Sequence, residues 1–251
     1  MALTGKGMMI WKILSCEEGN PSKIASVAKA AGFTHVLIKI ADGTYSYNIN
    51  RTTNIDLVPP VVSALKAQGL KVWGWHYIYG DNPTGEAKTA ANRTKALGLD
   101  GYVIDAESEF KLAGKETAAR TFMTELRKGI PSHPVALCSF RYPSYHMQFP
   151  WKAFLEKCDY NMPQVYWQES HNPDVQVTKS FNEFQALVPY RPYMPTGPLY
   201  PAGSWKATAA DIKLFMDTCK KLNIPALNYF TWDYKTSMPD QWNTIASYKW
   251  D

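Results

Sequence analysis

The feature that most constrains the fold is an alternation of β-rich and helical segments, repeated about eight times along the chain. Helical periodicity is clearest in residues 22–33, 61–70, 116–130 and 210–224. Strands that alternate with helices of about 10–15 residues indicate βαβ units and a parallel sheet. The β-rich segments begin near Met8, His35, Val72, Tyr102, Val135, Tyr160, Tyr193 and Ala226.

The helical segments carry their own boundary signals. Gly32 follows the first segment and Gly69 lies at the end of the second, where a glycine commonly stops a helix. Thr208 and Asp211 are suited to cap the start of the last one, because their oxygens accept from backbone N–H groups left unpaired there. These signals favour separate helices between the strands.

Eight such units without a linker or low-complexity segment predict one α/β domain, a single (β/α)8 TIM barrel over residues 1–251. Barrels of this kind typically occupy about 250 residues and place their active sites at the carboxyl ends of the strands. The alternative is an open doubly wound sheet. No glycine-rich phosphate loop follows the first strand, where that fold would place one.

Several classes of partner are disfavoured by composition. The 27 basic and 22 acidic residues are scattered, without a basic run or nucleic-acid motif, so no nucleic-acid partner is predicted. Apolar runs stop short of the roughly 20 residues that span a bilayer, so no membrane partner is predicted. The segment MALTGKGMMIWKILS shows no signal-peptide pattern. Localisation stays open, with cytoplasmic synthesis and phage-type release to the cell wall as one route. We expect a monomer.

The strand end YVIDAESEF, residues 102–110, carries the strongest functional signal. Side chains two apart on a strand point to the same face, so Asp105 and Glu107 should project together. Paired carboxylates at the end of a buried strand are the usual equipment for breaking glycosidic bonds. The structural alternative is that these acids face water or cap the next helix.

Three other strands add aromatic and polar side chains near the same end. The third strand alternates Trp73, Trp75, Tyr77 and Tyr79 on one face. Aromatic rings with polar rims suit sugar rings, whose C–H faces stack while their hydroxyls bond nearby polar groups. Trp73 and Trp167 are favoured as core residues. The candidate substrate-binding residues are Trp75, Tyr77, Gln164, Tyr166, Trp232 and Asp233.

Other chemistries lack support in the sequence. The five histidines form no HExxH or other ligand spacing, and His76, which alternates away from Trp75 and Tyr77, is assigned a structural or supporting role. The four cysteines form no CxxC pair and are interpreted as small buried hydrophobes or incidental thiols. No GxSxG elbow is present. We predict no metal and no cofactor.

The segment GFTHVLIKIADGTYSYN (32–48) resembles the second strand of glycoside hydrolase family 25, the lysozyme family of phage and bacterial wall-lytic enzymes. Residues 64–80 and 120–139 are similar to other strand and helix segments of that family, and LNYFTWDY (227–234) to its closing strand. Residues 85–110 resemble its third helix and Asp-x-Glu strand. The similarity runs along most of the chain.

The resemblance implies roles for individual residues. Glu107 would be the general acid that protonates the leaving oxygen. Asp105 would orient the N-acetyl group of the substrate or stabilise the developing oxocarbenium charge. Asp42 matches the acid of the second-strand motif, and Tyr166 would be a polar partner for the sugar.

Two departures from the family 25 pattern concern the number of carboxylates. The first strand, GMMIWKILS, has no acid where the family has an Asp, and Gln164 stands where the family favours an acid. The Asp-x-Glu strand also resembles family 18 chitinases, without their full D-x-x-D-x-D-x-E run. Both families act on acetamido sugars.

The sequence thus predicts a glycoside hydrolase that cleaves a β-linked N-acetylated glycan, with peptidoglycan favoured and Glu107 and Asp105 catalytic. A glycosidase on a different polysaccharide is one alternative, supported by the missing first-strand acid. A non-catalytic carbohydrate-binding barrel is the other, since a fold alone does not define a function. The stereochemical outcome stays open.

Overall fold

The computed structural model describes residues 3–250; Met1, Ala2 and Asp251, which belong to the predicted single domain, lie outside the described residues. Eight strands run parallel around the sheet, and the short β3 (Tyr45–Ser46) pairs antiparallel with the end of β2. The parallel strands are β1 (Gly5–Ile10), β2 (His35–Asp42), β4 (Lys71–Ile78), β5 (Gly101–Ala106), β6 (Val135–Cys138), β7 (Tyr160–Asn161), β8 (Thr196–Pro198) and β9 (Ala226–Phe230).

The order of the strands is β7-β6-β5-β4-β2-β1-β9-β8, and two parallel bridges, Asn161 to Tyr193 and Gln164 to Thr196, join the ends of this path. The sheet therefore closes on itself, and the predicted (β/α)8 barrel is confirmed. The helices between the strands are α1 (Pro21–Ala30), α2 (Val58–Ala67), α3 (Pro83–Ala96), α4 (Lys115–Gly129), α5 (Trp151–Leu155), α6 (Pro173–Gln185), α7 (Ala209–Lys221) and α8 (Pro239–Ser247).

The predicted helix boundaries agree with α1, α2, α4 and α7 to within about three residues, as is usual for helix ends. Thr208 accepts from the Asp211 N–H at 3.1 Å while Asp211 accepts from the Thr208 N–H at 2.7 Å, so both predicted caps are confirmed. Gly32 and Gly69 follow their helices with φ of +68° and +77°, a backbone that glycine adopts without steric cost.

The predicted strands that begin near Tyr160 and Tyr193, which are β7 and β8 of the structure, are shorter than the sequence predicts. Prolines interrupt both segments, and a proline lacks the N–H that a central strand needs for its ladder. Pro163 ends regular pairing after β7, and Pro195 directly precedes β8. Residues 162–167 therefore approach the site as irregular chain, held by backbone hydrogen bonds such as Thr196 N–H to Pro163 O at 2.9 Å.

The barrel interior is a buried cluster of its own, apart from the larger core between sheet and helices. The indole of Trp73 fills its centre, and this requires Gly101, because a Cβ there would lie 2.3 Å from the Trp73 ring. The interior cluster includes Met9, Leu37, Trp73, Trp75, Val103, Ala136, Cys138, Met162 and Met194. Trp73 and Trp167 are both fully buried, so their assignment as core residues is confirmed.

His76 and the cysteines also agree with prediction. His76 is fully buried, with Nδ1 2.8 Å from the Tyr102 hydroxyl and Nε2 2.7 Å from the Gly43 carbonyl oxygen, a structural role. All four cysteines are buried and unpaired with one another. Across residues 3–250, none of the helices combines the length and apolar character that a membrane crossing requires.

Candidate active site

The two predicted catalytic carboxyls lie together at the carboxyl end of β5. Asp105 is 6% exposed and shares the inward face of the strand with Val103, while Glu107 is half-buried and directly follows the strand end. Their inward direction follows from strand alternation. The position is the end of the barrel where sites of this fold are built.

Gln164, in the segment that follows β7, connects the two carboxyls from two strands away in the barrel. Its Nε2 donates to Asp105 Oδ1 at 3.1 Å and to Glu107 Oε1 at 2.9 Å. One amide nitrogen therefore binds both acids and fixes their orientation. Within the described chain no donor reaches Glu107 Oε2, which leaves this oxygen available to carry a proton.

Burial raises the pKa of both acids. For Glu107 the charge of Glu109 adds to the rise, while the Gln164 hydrogen bond and Lys111 oppose it. For Asp105 burial and then repulsion from Glu107 hold the pKa well above its usual range, against opposing effects of Lys39 and Gln164. The pair therefore keeps a proton to higher pH than exposed carboxyls do, as a general acid needs.

A lysine that the sequence analysis overlooked lies beside the pair. Lys39 is 5% exposed, and its Nζ donates to Asp42 Oδ2 at 2.6 Å. The ammonium lies 4.3 Å from the ring centroid of Tyr47 and 4.9 Å from that of Trp75, a geometry of cation–π attraction. This buried cation faces the carboxyls and favours an ionised Asp105.

Asp42, predicted to bind substrate, is bound by protein groups on both oxygens. Besides Lys39, Tyr79 donates its hydroxyl to Asp42 Oδ1 at 2.7 Å. Burial alone would raise the Asp42 pKa, but these two hydrogen bonds lower it below its usual range. The same contact raises the pKa of Tyr79 to about 12. Asp42 thus holds Lys39 in place, and its contact with substrate remains a prediction.

Trp75 and Tyr77 occupy different depths. Trp75 is 2% exposed and its indole donates to the Ile10 carbonyl at 3.0 Å, so it forms the floor under Lys39. The prediction of direct substrate contact is wrong for Trp75, because stacking needs an accessible ring face. Tyr77 is half-buried at the mouth and donates its hydroxyl to Glu109 Oε2 at 3.0 Å.

Half-buried aromatic rings form one wall of the mouth. Phe230, the last residue of β9, lies 6.3 Å from Tyr166, 6.1 Å from Tyr200 and 6.1 Å from Trp11, measured between ring centroids. Tyr166 and Tyr200 meet edge to face at 5.4 Å. These rings form a surface on which a sugar face can stack, and substrate contact by Tyr166 stays a prediction.

The prediction of substrate contact is wrong for Trp232, which is buried, whereas for Asp233, which is half-buried, it stays a prediction. Trp232 is 1% exposed, packs 5.0 Å from Trp242 between ring centroids and donates its indole N–H to Glu17 Oε1 at 3.2 Å. Asp233 accepts the backbone N–H groups of Trp11 at 3.0 Å and Lys12 at 2.9 Å. The chain enters a 3₁₀ turn at Trp232–Tyr234, so strand alternation ends at β9.

Four residues of the mouth were missed by sequence reasoning: Trp11, Lys39, Tyr200 and Phe230. Lys39 left a signal, as the single charge inside the otherwise apolar HVLIKIA. Phe230 precedes Trp232 by two positions, and the sequence pattern favoured Trp232 because its ring is larger. Trp11 and Tyr200 lie just beyond short strands, where no sequence pattern reports direction.

Within the described residues, the mouth contains no set of side chains that could coordinate a metal ion. Among residues 3–250, no group of three or more His, Cys, Asp or Glu side chains is arranged to hold a metal ion. The charged groups of the site pair with one another or with Gln164 instead.

Comparison with known proteins establishes the fold. No protein-family model and no curated protein sequence matches the chain. A chitinase from Bacteroides thetaiotaomicron is similar in structure, with a TM-score of 0.74, 9% identity and coverage of 98% of this chain and 96% of that one. A family 18 chitinase from Cycas revoluta, solved with (GlcNAc)4, is also similar in structure. Its TM-score is 0.70 at 11% identity, and the match covers 96% of this chain and 98% of that one.

A third similar structure is the spore cortex-lytic enzyme SleL of Bacillus megaterium. Its TM-score is 0.66 at 10% identity, and the match covers 98% of this chain and 74% of that one. At these identities the likeness confirms the barrel architecture over nearly the whole chain. The sequence resemblance to family 25 stays a prediction.

Proposed function

We propose that this protein is a glycoside hydrolase that cleaves a β-linked N-acetylated glycan, with peptidoglycan as the favoured polymer. The observation that carries the proposal is the buried Asp105–Glu107 pair, bound by one Gln164 amide at the carboxyl end of the barrel. Paired carboxyls in that position perform glycosidic cleavage in many enzymes. The similar structures named for chitinase and cortex-lytic activity support the same substrate class.

Glu107 acts as the general acid in this proposal. Burial raises its pKa, and Gln164 holds Oε1, so the proton resides on Oε2. Transfer of that proton to the glycosidic oxygen lets the bond to the leaving sugar break, and a water molecule then adds to the anomeric carbon and returns a proton to Glu107. A positioned general acid contributes about 10²–10⁴ in rate.

Asp105 and the aromatic wall complete the proposed mechanism. Asp105 lies deeper than Glu107, and the Lys39 ammonium favours its ionised form against the effect of burial. In that form its charge orients the acetamido group or stabilises the oxocarbenium ion. The rings of Trp11, Tyr166 and Phe230 stack on the sugars and exclude water from the reacting bond.

The test is release of reducing ends from purified peptidoglycan, chitin oligomers and several plant and bacterial polysaccharides. We expect activity from the wild type on an acetamido polymer and a loss of at least about 10² in Glu107→Gln. Glu116→Gln, which changes an exposed carboxylate on α4, is the matched control and should stay active.

Two outcomes would contradict the proposal. Normal hydrolysis by Glu107→Gln would exclude Glu107 as the acid. Sugar binding without hydrolysis by a folded wild type would instead identify a non-catalytic carbohydrate-binding barrel.

A further inference from the structure

A second cavity opens beside the mouth, at the carboxyl ends of β1 and β2. Its volume is about 360 Å³, and its lining includes Lys12, Ser15, Tyr47, Asn48 and Arg51. Tyr47 belongs to both spaces, because its ring also lies 4.3 Å from Lys39 Nζ in the mouth. A chain that occupies the mouth can therefore extend a substituent into this cavity.

The cavity is electropositive. Lys12 and Arg51 are exposed, and neither forms an ion pair within residues 3–250. The lining contains no Asp or Glu. Two cations that share a cavity without a counter-charge attract an anionic ligand.

The acids nearest to the cavity are already engaged. Asp42 pairs with Lys39, Asp56 with Arg93, and Glu17 with Lys235. Asp233 accepts two backbone N–H groups, including that of Lys12. None of these carboxylates forms an ion pair with Lys12 or Arg51.

The position of Lys12 connects this charge to the aromatic wall. Its Nζ lies 4.9 Å from the ring centroid of Trp11, which in turn faces Phe230. Asn48 ties the end of β1 to β2, because its amide donates to Trp11 O at 3.1 Å and to Lys39 O at 2.8 Å. A sugar stacked on Trp11 would thus carry its substituents toward Lys12.

We propose that this cavity binds a carboxylate carried by the glycan, with Lys12 and Arg51 as its cationic partners and Tyr47 and Ser15 as hydrogen-bonding partners. The inference rests on the proposed function and narrows the substrate to an anionic acetamido glycan. Peptidoglycan strands stripped of stem peptides carry such a group, the lactyl carboxylate, whereas chitin is neutral.

The experiment measures affinity in the Glu107→Gln background, where turnover should be at least about 10²-fold slower. Calorimetric titration would compare peptide-free peptidoglycan strands with the same strands after amidation of their carboxyls, and with chitin oligomers. We expect the carboxylated strands to bind about tenfold more tightly than the amidated ones, with a preference that weakens in high salt. Lys12→Gln combined with Arg51→Gln should abolish that preference.

Lys29→Gln combined with Lys95→Gln is the matched control. It removes the same charge from the last turns of α1 and α3, at the end of the barrel away from the mouth. Equal affinity for carboxylated and amidated strands, or an equal loss in the control, would overturn the inference.

Hydrolysis by the protein with Glu107 intact separates this inference from the proposed function. Cleavage without any carboxylate preference would overturn the cavity assignment alone. A carboxylate preference in a protein that cleaves nothing would overturn the proposed hydrolase and support the cavity assignment.

Discussion

Gln164 Nε2 lies 2.9 Å from Glu107 Oε1, so an amide that follows β7 orients the carboxyl at the end of β5, two strands away in the barrel. An amide in this place does what an additional acid could not. It donates a hydrogen bond to each carboxyl and adds no negative charge that would repel them. Gln164 therefore stabilises both carboxyls.

Gln164→Met should lower kcat by roughly 10–100-fold. This factor corresponds to the loss of a hydrogen bond to a charged group, which contributes about 1.5–3 kcal/mol. Because the Gln164 hydrogen bond lowers the pKa of Glu107, its loss should move the basic limb of kcat/KM to higher pH. Gln168→Met, which loses a bond to the Tyr200 hydroxyl instead, is the control for side-chain shape. An unchanged basic limb would show that Gln164 does not act on Glu107.

Lys39→Met should move the acid limb of kcat/KM to higher pH. The Lys39 charge opposes the raised pKa of Asp105, so without it Asp105 stays protonated to a higher pH. Lys39→Arg keeps the charge and should restore part of the profile. If both variants lose rate equally with no shift of the limb, Lys39 acts only through packing.

The two buried histidines should make the protein sensitive to acid. Burial lowers the pKa of His35 and of His76 to about 4, against 6.5 in the unfolded chain. Between these values the unfolded chain binds protons that the folded protein excludes, so the free energy of unfolding falls as pH drops from about 6.5 to 4. The loss approaches about 3 kcal/mol per histidine.

Urea unfolding midpoints between pH 7 and pH 4 measure this effect. His76→Gln should bind one proton fewer on unfolding than the wild type. His133→Gln, a half-buried residue before β6, should keep the full dependence. A flat wild-type profile between pH 6.5 and 4 would contradict the prediction.

Trp232→Phe tests the placement of Trp232 outside the site. Its indole packs against Trp242 and donates to Glu17, so the smaller ring should lower the free energy of unfolding by roughly 0.5–3 kcal/mol. KM per folded molecule should stay unchanged. A raised KM with unchanged stability would place this ring against the substrate, contrary to its burial.

Residues close in the chain account for what sequence reasoning predicted correctly. Strand and helix periodicity predicted the barrel, and the capping box of Thr208 and Asp211 predicted the start of α7. The i, i+2 spacing of Asp105 and Glu107 was sufficient to place both on the inward face of β5, because alternation is a property of the strand itself. His76 was assigned correctly for the same reason.

The two failures have different physical causes, the first of which is that alternation no longer applies where a strand ends. Trp232 turns into the outer core through a 3₁₀ turn, whereas Phe230, two residues earlier, faces the mouth. Trp75 obeys the alternation but lies one layer too deep to touch a ligand, and depth is set by the register among all eight strands.

The sequence by itself determined the architecture of this protein and the carboxyl pair, since both depend on spacing within single segments. Only the tertiary structure decided what surrounds that pair. Gln164 reaches Glu107 across 57 positions of sequence, and Asp233 binds Trp11 across 222. Such contacts arise from the order of the parallel strands, which brings segments that are distant in the chain to one mouth and so assembles a site that no single segment encodes.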